Sequence, residues 1–457
     1  MEENLKLDHQ EENKMGVAPV KTLLLSMGIP MIFSMILQAM YNIIDSYFVS
    51  QIPKIADQAM NALTLAFPIQ MLIVAVGVGT GIGINSLLSQ NLGANDQVQA
   101  SKTAGNAVFI GICTYFVFLL FGLFGIDAYL KSQTSDPQVL VLGHAYMKIC
   151  VIISFGSVLS MIYEKLLQST GRTLLSTIAQ VAGALTNIVL DPIMIFGLLG
   201  CPKMGIEGAA YATVIGQILT CVMDMIFHYG LNKDIQNGIQ YLRPDGHTIR
   251  RIYRVGIPAI IMQALMSFMT YGVNIILAGI SASYVTAYGV YYKIQQFALF
   301  AAFGLNNAII PVVAYNYGKG DQERIKQGVF YGTLYTVIMM VICMLIFEIF
   351  APQISGIFAL SPAILTICSQ AMRIISIGFI FVAVNIAFQG IFQALEKGGY
   401  SLWISLIRMV IVSLPLAYVF VKVFGNSMVF IAFPIAEACA TVVSILLYKH
   451  LKKTIYH

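Results

Sequence analysis

The chain has 457 residues, of which 58% are hydrophobic and only 10% charged, and a net charge of +5. Soluble domains carry about 25% charged residues, so a water-facing globule is excluded. Nucleic-acid binding is excluded as well, because no basic run is interleaved with aromatics. Six scattered histidines and seven cysteines without CxxC spacing exclude a metal cluster and a disulfide framework.

Residues 1–21 form a polar tail of mixed charge. It lacks the basic start and short apolar stretch of a signal peptide. Apolar segments then recur near 22–50, 60–89, 104–127, 139–167, 173–198, 206–230, 254–280, 285–314, 326–350, 364–394, 400–421 and 427–448. Each is long enough to cross a hydrocarbon layer about 30 Å thick. The expected fold is an all-α polytopic membrane protein with twelve transmembrane helices. It divides into an N-lobe (22–230), a polar linker (231–253), a C-lobe (254–448) and a short tail (449–457). Among the cysteines only Cys201 falls in a loop.

Lysine and arginine set the orientation. With both termini cytoplasmic, that side holds eighteen of them, from Lys6 and Lys14 through Lys102, Lys165, Arg172, Arg250 and Arg324 to Lys453. The other side holds Lys54, Lys131, Lys203 and Lys422. Both termini are therefore expected in the cytoplasm, which requires an even number of spans, and the expected location is a bacterial inner membrane.

The halves repeat. Gly28-Ile29-Pro30 recurs as Gly256-Ile257-Pro258, 228 residues later. Asn91-Leu92-Gly93-Ala94-Asn95-Asp96-Gln97 recurs 225 residues later as Asn316-Tyr317-Gly318-Lys319-Gly320-Asp321-Gln322. Six spans per half give two copies running in the same direction, related by a pseudo-twofold axis along the membrane normal. Two such lobes suit a carrier that rocks about a central cavity.

Charge inside the membrane is the next signal, because it is costly there and marks function by default. The deep ionisable residues are Asp45, Lys148, Glu164, Asp191, Lys293, Arg373, Arg408 and Glu437. Asp224 and Glu348 lie near helix ends, where snorkelling explains them. Under the repeat Asp45 maps to Val273 and Glu164 to Gln389, so the acids of the N-lobe have lost their copies in the C-lobe. That asymmetry favours ion handling over packing.

Tyr41 precedes Asp45 by one turn, Asn187 precedes Asp191 by one turn, and each pair shares a helix face. Pro192 frees the carbonyl of Ile188, and Pro30 interrupts the first helix. Two carboxylates, an amide and a phenol suit either a proton relay or an oxygen cage for sodium. Carboxyls removed from water can load and release protons near neutral pH. Ordinary hydrogen bonds between helices are the rival reading. Lys148 and Arg373 are equivalent copies with a shared structural role. In the C-lobe, Met266, Tyr288 and Tyr292 belong to a population of methionine and tyrosine that suits a permissive drug-sized cavity and equally suits ordinary core.

Several stretches carry a resemblance: GIPMIFSMILQAMYNIIDSYFVSQI, ALTLAFPIQ, GTGIGINSLLSQNLGANDQ, LTNIVLDPIMIFGLLG with GIEGAAYATVIGQ, and AFGLNNAIIPVVAYNYGKGD. In this order, across residues 22–450, they resemble the multidrug and toxic compound extrusion (MATE) family, and within it the bacterial DinF-like and MepA-like branch. The resemblance implies two V-shaped six-helix lobes and efflux of cationic drugs against inward H⁺ or Na⁺ flow. It implies cation coupling at Asp45, Asn187, Asp191, Tyr41 and Thr213, with sodium, if used, at Asp45, Asn187, Asp191 and Thr213. It implies a bending role for Pro30, to which Pro192 is added as a second hinge, and an acid in the fourth helix at Glu164. The acid that the NorM-like branch carries in its seventh helix is missing from 254–280.

The expected substrate contacts are Glu164, Met266, Tyr288 and Tyr292. The expected activity is proton-driven export of lipophilic cations by a monomer in contact with membrane lipid, without cofactor, resident metal or nucleic acid. The alternative is a flippase or exporter of a lipid-linked precursor or endogenous metabolite on the same fold. No HExxH, GxSxG or GxxxxGK[ST] motif supports an enzyme. The run Gly77, Gly79, Gly81, Gly83 is read as close helix packing.

Overall fold

The computed structural model describes residues 13–53, 55–358 and 361–455. Most of the amino-terminal tail, with Lys6, as well as Lys54 and the last two residues, lie outside the described residues. Among the described residues there is no strand. The helices are α1 Lys14–Val17, α2 Val20–Ser50, α3 Ala56–Gly93, α4 Gln97–Phe124, α5 Ile126–Gln133, α6 Pro137–Ile152, α7 Phe155–Ser169, α8 Thr173–Phe196 and α9 Ile206–Leu231. They continue as α10 Gly246–Ala278, α11 Ala282–Lys319, α12 Gln322–Gly356, α13 Pro362–Ser376, α14 Phe379–Ala394, α15 Gly398–Leu406, α16 Ser413–Phe424 and α17 Ala432–Ile455.

Eleven spans are long and apolar enough to cross a membrane, with α6 and α7 together forming one of them. The pair α13 and α14, bent by 54°, makes a twelfth. The protein is a multi-pass membrane protein. The breaks are repeat mates: the chain turns at Ile153–Ser154 in the fourth span and at Ile377–Gly378 in the tenth. A π-helical segment, Ile407–Ile411, joins α15 to α16. Helix α10 starts at Gly246, inside the stretch the sequence assigns to the linker, because the Asp245 side chain accepts the Thr248 N–H at 3.0 Å and caps it there.

The repeated Asn-x-Gly-x-x-Asp-Gln motif is a turn between helices. Asn95 and Gly320 adopt left-handed φ values of 57° and 75°. The next residues, Asp96 and Asp321, each cap the following helix through a 3.0 Å bond from Gln99 N and Arg324 N.

The lobes have separate cores at one end and a shared core at the other. Val49, Ala62, Ile126, Tyr146 and Ile195 belong to an N-lobe core. Val273, Tyr288, Phe347, Phe379 and Phe430 belong to a C-lobe core. A third core crosses between lobes, packing Met15, Leu24, Met27 and Met31 against Ile309, Val313, Phe392 and Leu451. It also brings the two described chain ends together at one end of the bundle, here called the termini end.

The seam there is built on reciprocal glycines. Gly79 abuts the backbone of Ile260 and Gly304 abuts that of Ile32. Gly93 abuts the Tyr315 carbonyl and Gly318 the Gln90 carbonyl. Each pair is the image of the other under the repeat, which establishes the pseudo-twofold relation. The glycine run of α3 also resolves into packing. Gly79 and Gly83 face α10, while Gly77 and Gly81 face Met161 and Lys165 of α7. Hydrogen bonds from Ser86 Oγ to Gln393 O and from Gln90 Nε2 to Ala394 O, both 2.7 Å, pin the seam.

Candidate functional site

Five helices of the N-lobe line a common cavity of about 120 Å³, α3 contributing Val74 and each of the other four a polar face. On α2 the face is Ser34, Gln38 and Tyr41; on α8 it is Gln180, Ala184 and Asn187; on α9, Thr213, Gln217 and Thr220; on α7, Ser157, Ser160 and Glu164. Their spacing of three and four residues is that of one side of a helix. Hydroxyl and amide groups are interspersed with Val74, Met161 and Ala184, so the cavity offers polar contacts beside an apolar wall.

Asp45 and Asp191 lie one turn beyond Tyr41 and Asn187 and are 8% and 0% exposed. Asn187 Nδ2 donates to Asp191 Oδ1 at 3.4 Å and to Thr213 Oγ1 at 3.3 Å, joining α8 to α9. Asp45 Oδ1, Asp191 Oδ2 and Asn187 Oδ1 are buried with no protein partner. The two carboxyls lie close enough for their charges to interact. Helix α2 continues through Pro30 and α8 through Pro192. The five residues expected to couple a cation are thus brought together on α2, α8 and α9. Tyr146 and Cys150 of α6 also stand in the electrostatic reach of Asp45, and Tyr146 accepts a 3.2 Å bond from Gln70. Nothing in their apolar sequence context marks these three.

The four residues expected to touch substrate do not share one cavity. Glu164 lines the N-lobe cavity, where its carboxylate pairs with Lys165 at 3.2 Å and accepts from Gln168 at 2.6 Å. Met266, Tyr288 and Tyr292 line a second cavity of about 50 Å³ in the C-lobe, together with Arg408 and Glu437. There Glu437 is held by Arg408 Nε at 2.8 Å and by Asn385 Nδ2 at 2.8 Å, and Tyr288 stacks on Phe433.

Several charges sit elsewhere than their sequence positions suggest. Lys148, Lys293 and Arg373, deep in apolar segments, are exposed on their helices, whereas Lys165, counted with the loops, is buried. Asp224, assigned to snorkelling, is 0% exposed, and both of its carboxyl oxygens lack a protein partner. Glu348 is half-buried and accepts a bond from Ser376.

Comparison with known proteins agrees with this architecture. The MatE family profile matches residues 30–193 and 258–419, one copy in each lobe. The chain belongs to the MatE family. It is similar to the multidrug export protein MepA of Staphylococcus saprophyticus, with 25% identity over 422 residues and 92% of each chain covered. It is also similar to MepA of Staphylococcus aureus strain MRSA252, with 23% identity and 94% of each chain covered. The fold matches a multidrug resistance MATE family transporter of the MOP superfamily in an outward-facing conformation. There the TM-score is 0.91 at 22% identity, with 98% of this chain and 99% of that chain covered. A MOP superfamily transporter from Pyrococcus furiosus, described as having a binding pocket of reverse polarity, matches with a TM-score of 0.86 at 22% identity. MatE membership accounts for the two-lobe fold.

Proposed function

We propose that this MatE protein is a secondary active multidrug exporter that moves lipophilic cations outward in exchange for inward protons. The observation that carries this reading is the buried pair Asp45 and Asp191, with oxygens that no protein group satisfies, one turn beyond a polar cavity. A buried carboxyl left without a partner is destabilising, and binding an ion or proton relieves that cost. The names of the MepA relatives, multidrug export proteins, support drugs as cargo. The excess of lysine and arginine supports a cytoplasmic termini end. A shared core at that end, with separate cores at the other, then fits a state open to the outside. Exchange of that seam for contacts at the far end supplies alternating access.

Efflux of an ethidium-like cation from proteoliposomes, with pH and sodium gradients imposed separately, tests this. Transport driven by the pH gradient alone is the expected result. Transport driven only by sodium would reassign Asp45, Asn187, Asp191 and Thr213 as an oxygen cage, and transport driven by neither would end the antiport reading.

A further inference from the structure

Helix α9 carries a polar stripe that the coupling site alone does not use. Thr213, Gln217, Thr220, Asp224 and His228 follow at intervals of four, three, four and four residues and so share one face. The stripe begins at Thr213, which is bonded to Asn187, runs along the N-lobe cavity as far as Thr220, and ends about 22 Å further along the helix axis. At that end the His228 ring, 1% exposed, is held at both nitrogens by the linker. Nε2 lies 3.0 Å from Asn237 Oδ1, and Nδ1 lies 3.3 Å from Asn232 Nδ2. Asn237 is exposed at the termini end. Between cavity and histidine stands Asp224, fully buried and without a partner for either oxygen.

Packing fixes what surrounds it. Tyr163 of α7 lies against the His228 ring, with centroids 5.5 Å apart, and its hydroxyl meets that of Tyr229 at 3.0 Å. Glu164 is the carboxylate that bears on Asp224, and Cys221 lies one turn earlier on the same helix. Lys165 is already engaged by Glu164 and Gln168. Helix α8 offers only Asp191, at its far end. Arg172, just before α8, is paired with Asp234 of the linker at 3.1 Å. No cation is therefore bonded to Asp224, and a carboxyl so placed is costly to keep as mere packing.

We infer that Asp224 and His228 form the inner half of a proton path, carrying protons from the N-lobe cavity to the termini face. A proton delivered to the cavity passes to the Asp224 carboxylate. From there it passes through water to His228 Nδ1, displacing the bond from Asn232 Nδ2, and the ring releases its Nε2 proton to water beside Asn237. Each group takes one proton and gives one up, and exchange of the ring's protons with water restores the starting tautomer before the next cycle. Waters in the polar cavity bridge its outer stretch. The inference rests on the proton-coupling reading above.

The test uses the full chain in proteoliposomes, comparing Asp224→Asn and His228→Gln with Asp45→Asn. Asp224→Asn replaces a buried carboxyl that has no partner with an amide of the same shape, so its thermal stability in detergent should be close to that of the unaltered protein. Binding of an ethidium-like cation should be retained, while efflux driven by a pH gradient should fall by about tenfold or more. His228→Gln keeps an amide facing Asn237 and Asn232 and should show the same loss, so the path remains testable if the aspartate variant does not fold. Equal losses of stability and transport in both variants would make the pair structural and overturn the path. Wild-type transport by both, with Asp45→Asn inactive, would overturn the path and leave the coupling site standing. Wild-type transport by Asp45→Asn as well would overturn both.

Discussion

In the N-lobe, Asp45, Asp191 and Asn187 keep buried oxygens that no protein group satisfies. In the C-lobe, Glu437 is clamped by Arg408 and Asn385, and the pair is neutral as a whole. The backbones are copies, with breaks at matching positions and mirrored glycine contacts, so the difference lies in the chemistry of a few side chains. A satisfied acid adds to the rigidity of its lobe. An unsatisfied one stores free energy that a passing ion can release, and that is what an exchanger requires.

The sharpest way to break this contrast is to neutralise each side. Asp45→Asn or Asp191→Asn should abolish gradient-driven efflux in proteoliposomes while leaving a folded, inserted protein. An amide keeps the shape and hydrogen bonding but cannot cycle a proton. Transport at the unaltered rate by both variants would dissolve the distinction between lobes. On the other side, Glu437→Gln strands the Arg408 charge in the C-lobe and should cost about 3–5 kcal/mol of stability, read by thermal unfolding in detergent. The surviving molecules should keep their coupling to the gradient. A stable but uncoupled Glu437→Gln protein would move ion handling into the C-lobe.

Glu164→Gln lies between these cases. It leaves the buried Lys165 with amide acceptors only and no opposite charge, and should lower stability by about 1–3 kcal/mol. It should also weaken efflux of dicationic dyes more than of monocationic ones, with gradient dependence intact, in a comparison of KM values. The smallest effect belongs to the linker. Asp245→Ala removes the cap of α10 and should cost about 0.5–2 kcal/mol. Bonds from the Thr248 N–H and hydroxyl hold the Asp245 carboxyl below its ordinary pKa. The cap is therefore fully present above the unfolded value of about 3.9 and weakens as pH falls through the lower folded value. An unfolding curve measured down to acidic pH should show Asp245→Ala converging on the unaltered protein.

Much of this was legible in the residues. Apolar run length gave the spans. Matching tripeptides gave the repeat, and the acids missing from its second copy pointed to Asp45 and Asp191, because a one-turn spacing already puts Asn187 and Tyr41 beside them. What sequence position misjudged was depth. Asp224 lies two turns from the end of α9, where a carboxyl on an isolated helix would reach water, yet in the fold it is fully buried. Lys165 looks like part of the basic loop around Arg172, yet it folds back over Gly81 to meet Glu164. Conversely, Lys148, Lys293 and Arg373 look buried in the sequence and are exposed, because a linear pattern does not say which helices will leave a face uncovered. The residues expected to touch substrate fall in two lobes for a similar reason: suitable side chains were recognisable, but not which cavity each would line.

The glycine seam has a consequence for speed. Where Gly79, Gly93, Gly304 and Gly318 lie against backbone, the lobes meet as smooth surfaces with few interlocked side chains to withdraw. The carbonyl acceptors at Gln393 and Ala394 can trade Ser86 and Gln90 for water at little net cost. In the cycle proposed above, what slows the parting of the lobes is then the unpacking of Met15, Leu24, Met27 and Met31 from Ile309, Val313, Phe392 and Leu451, not the glycine contacts.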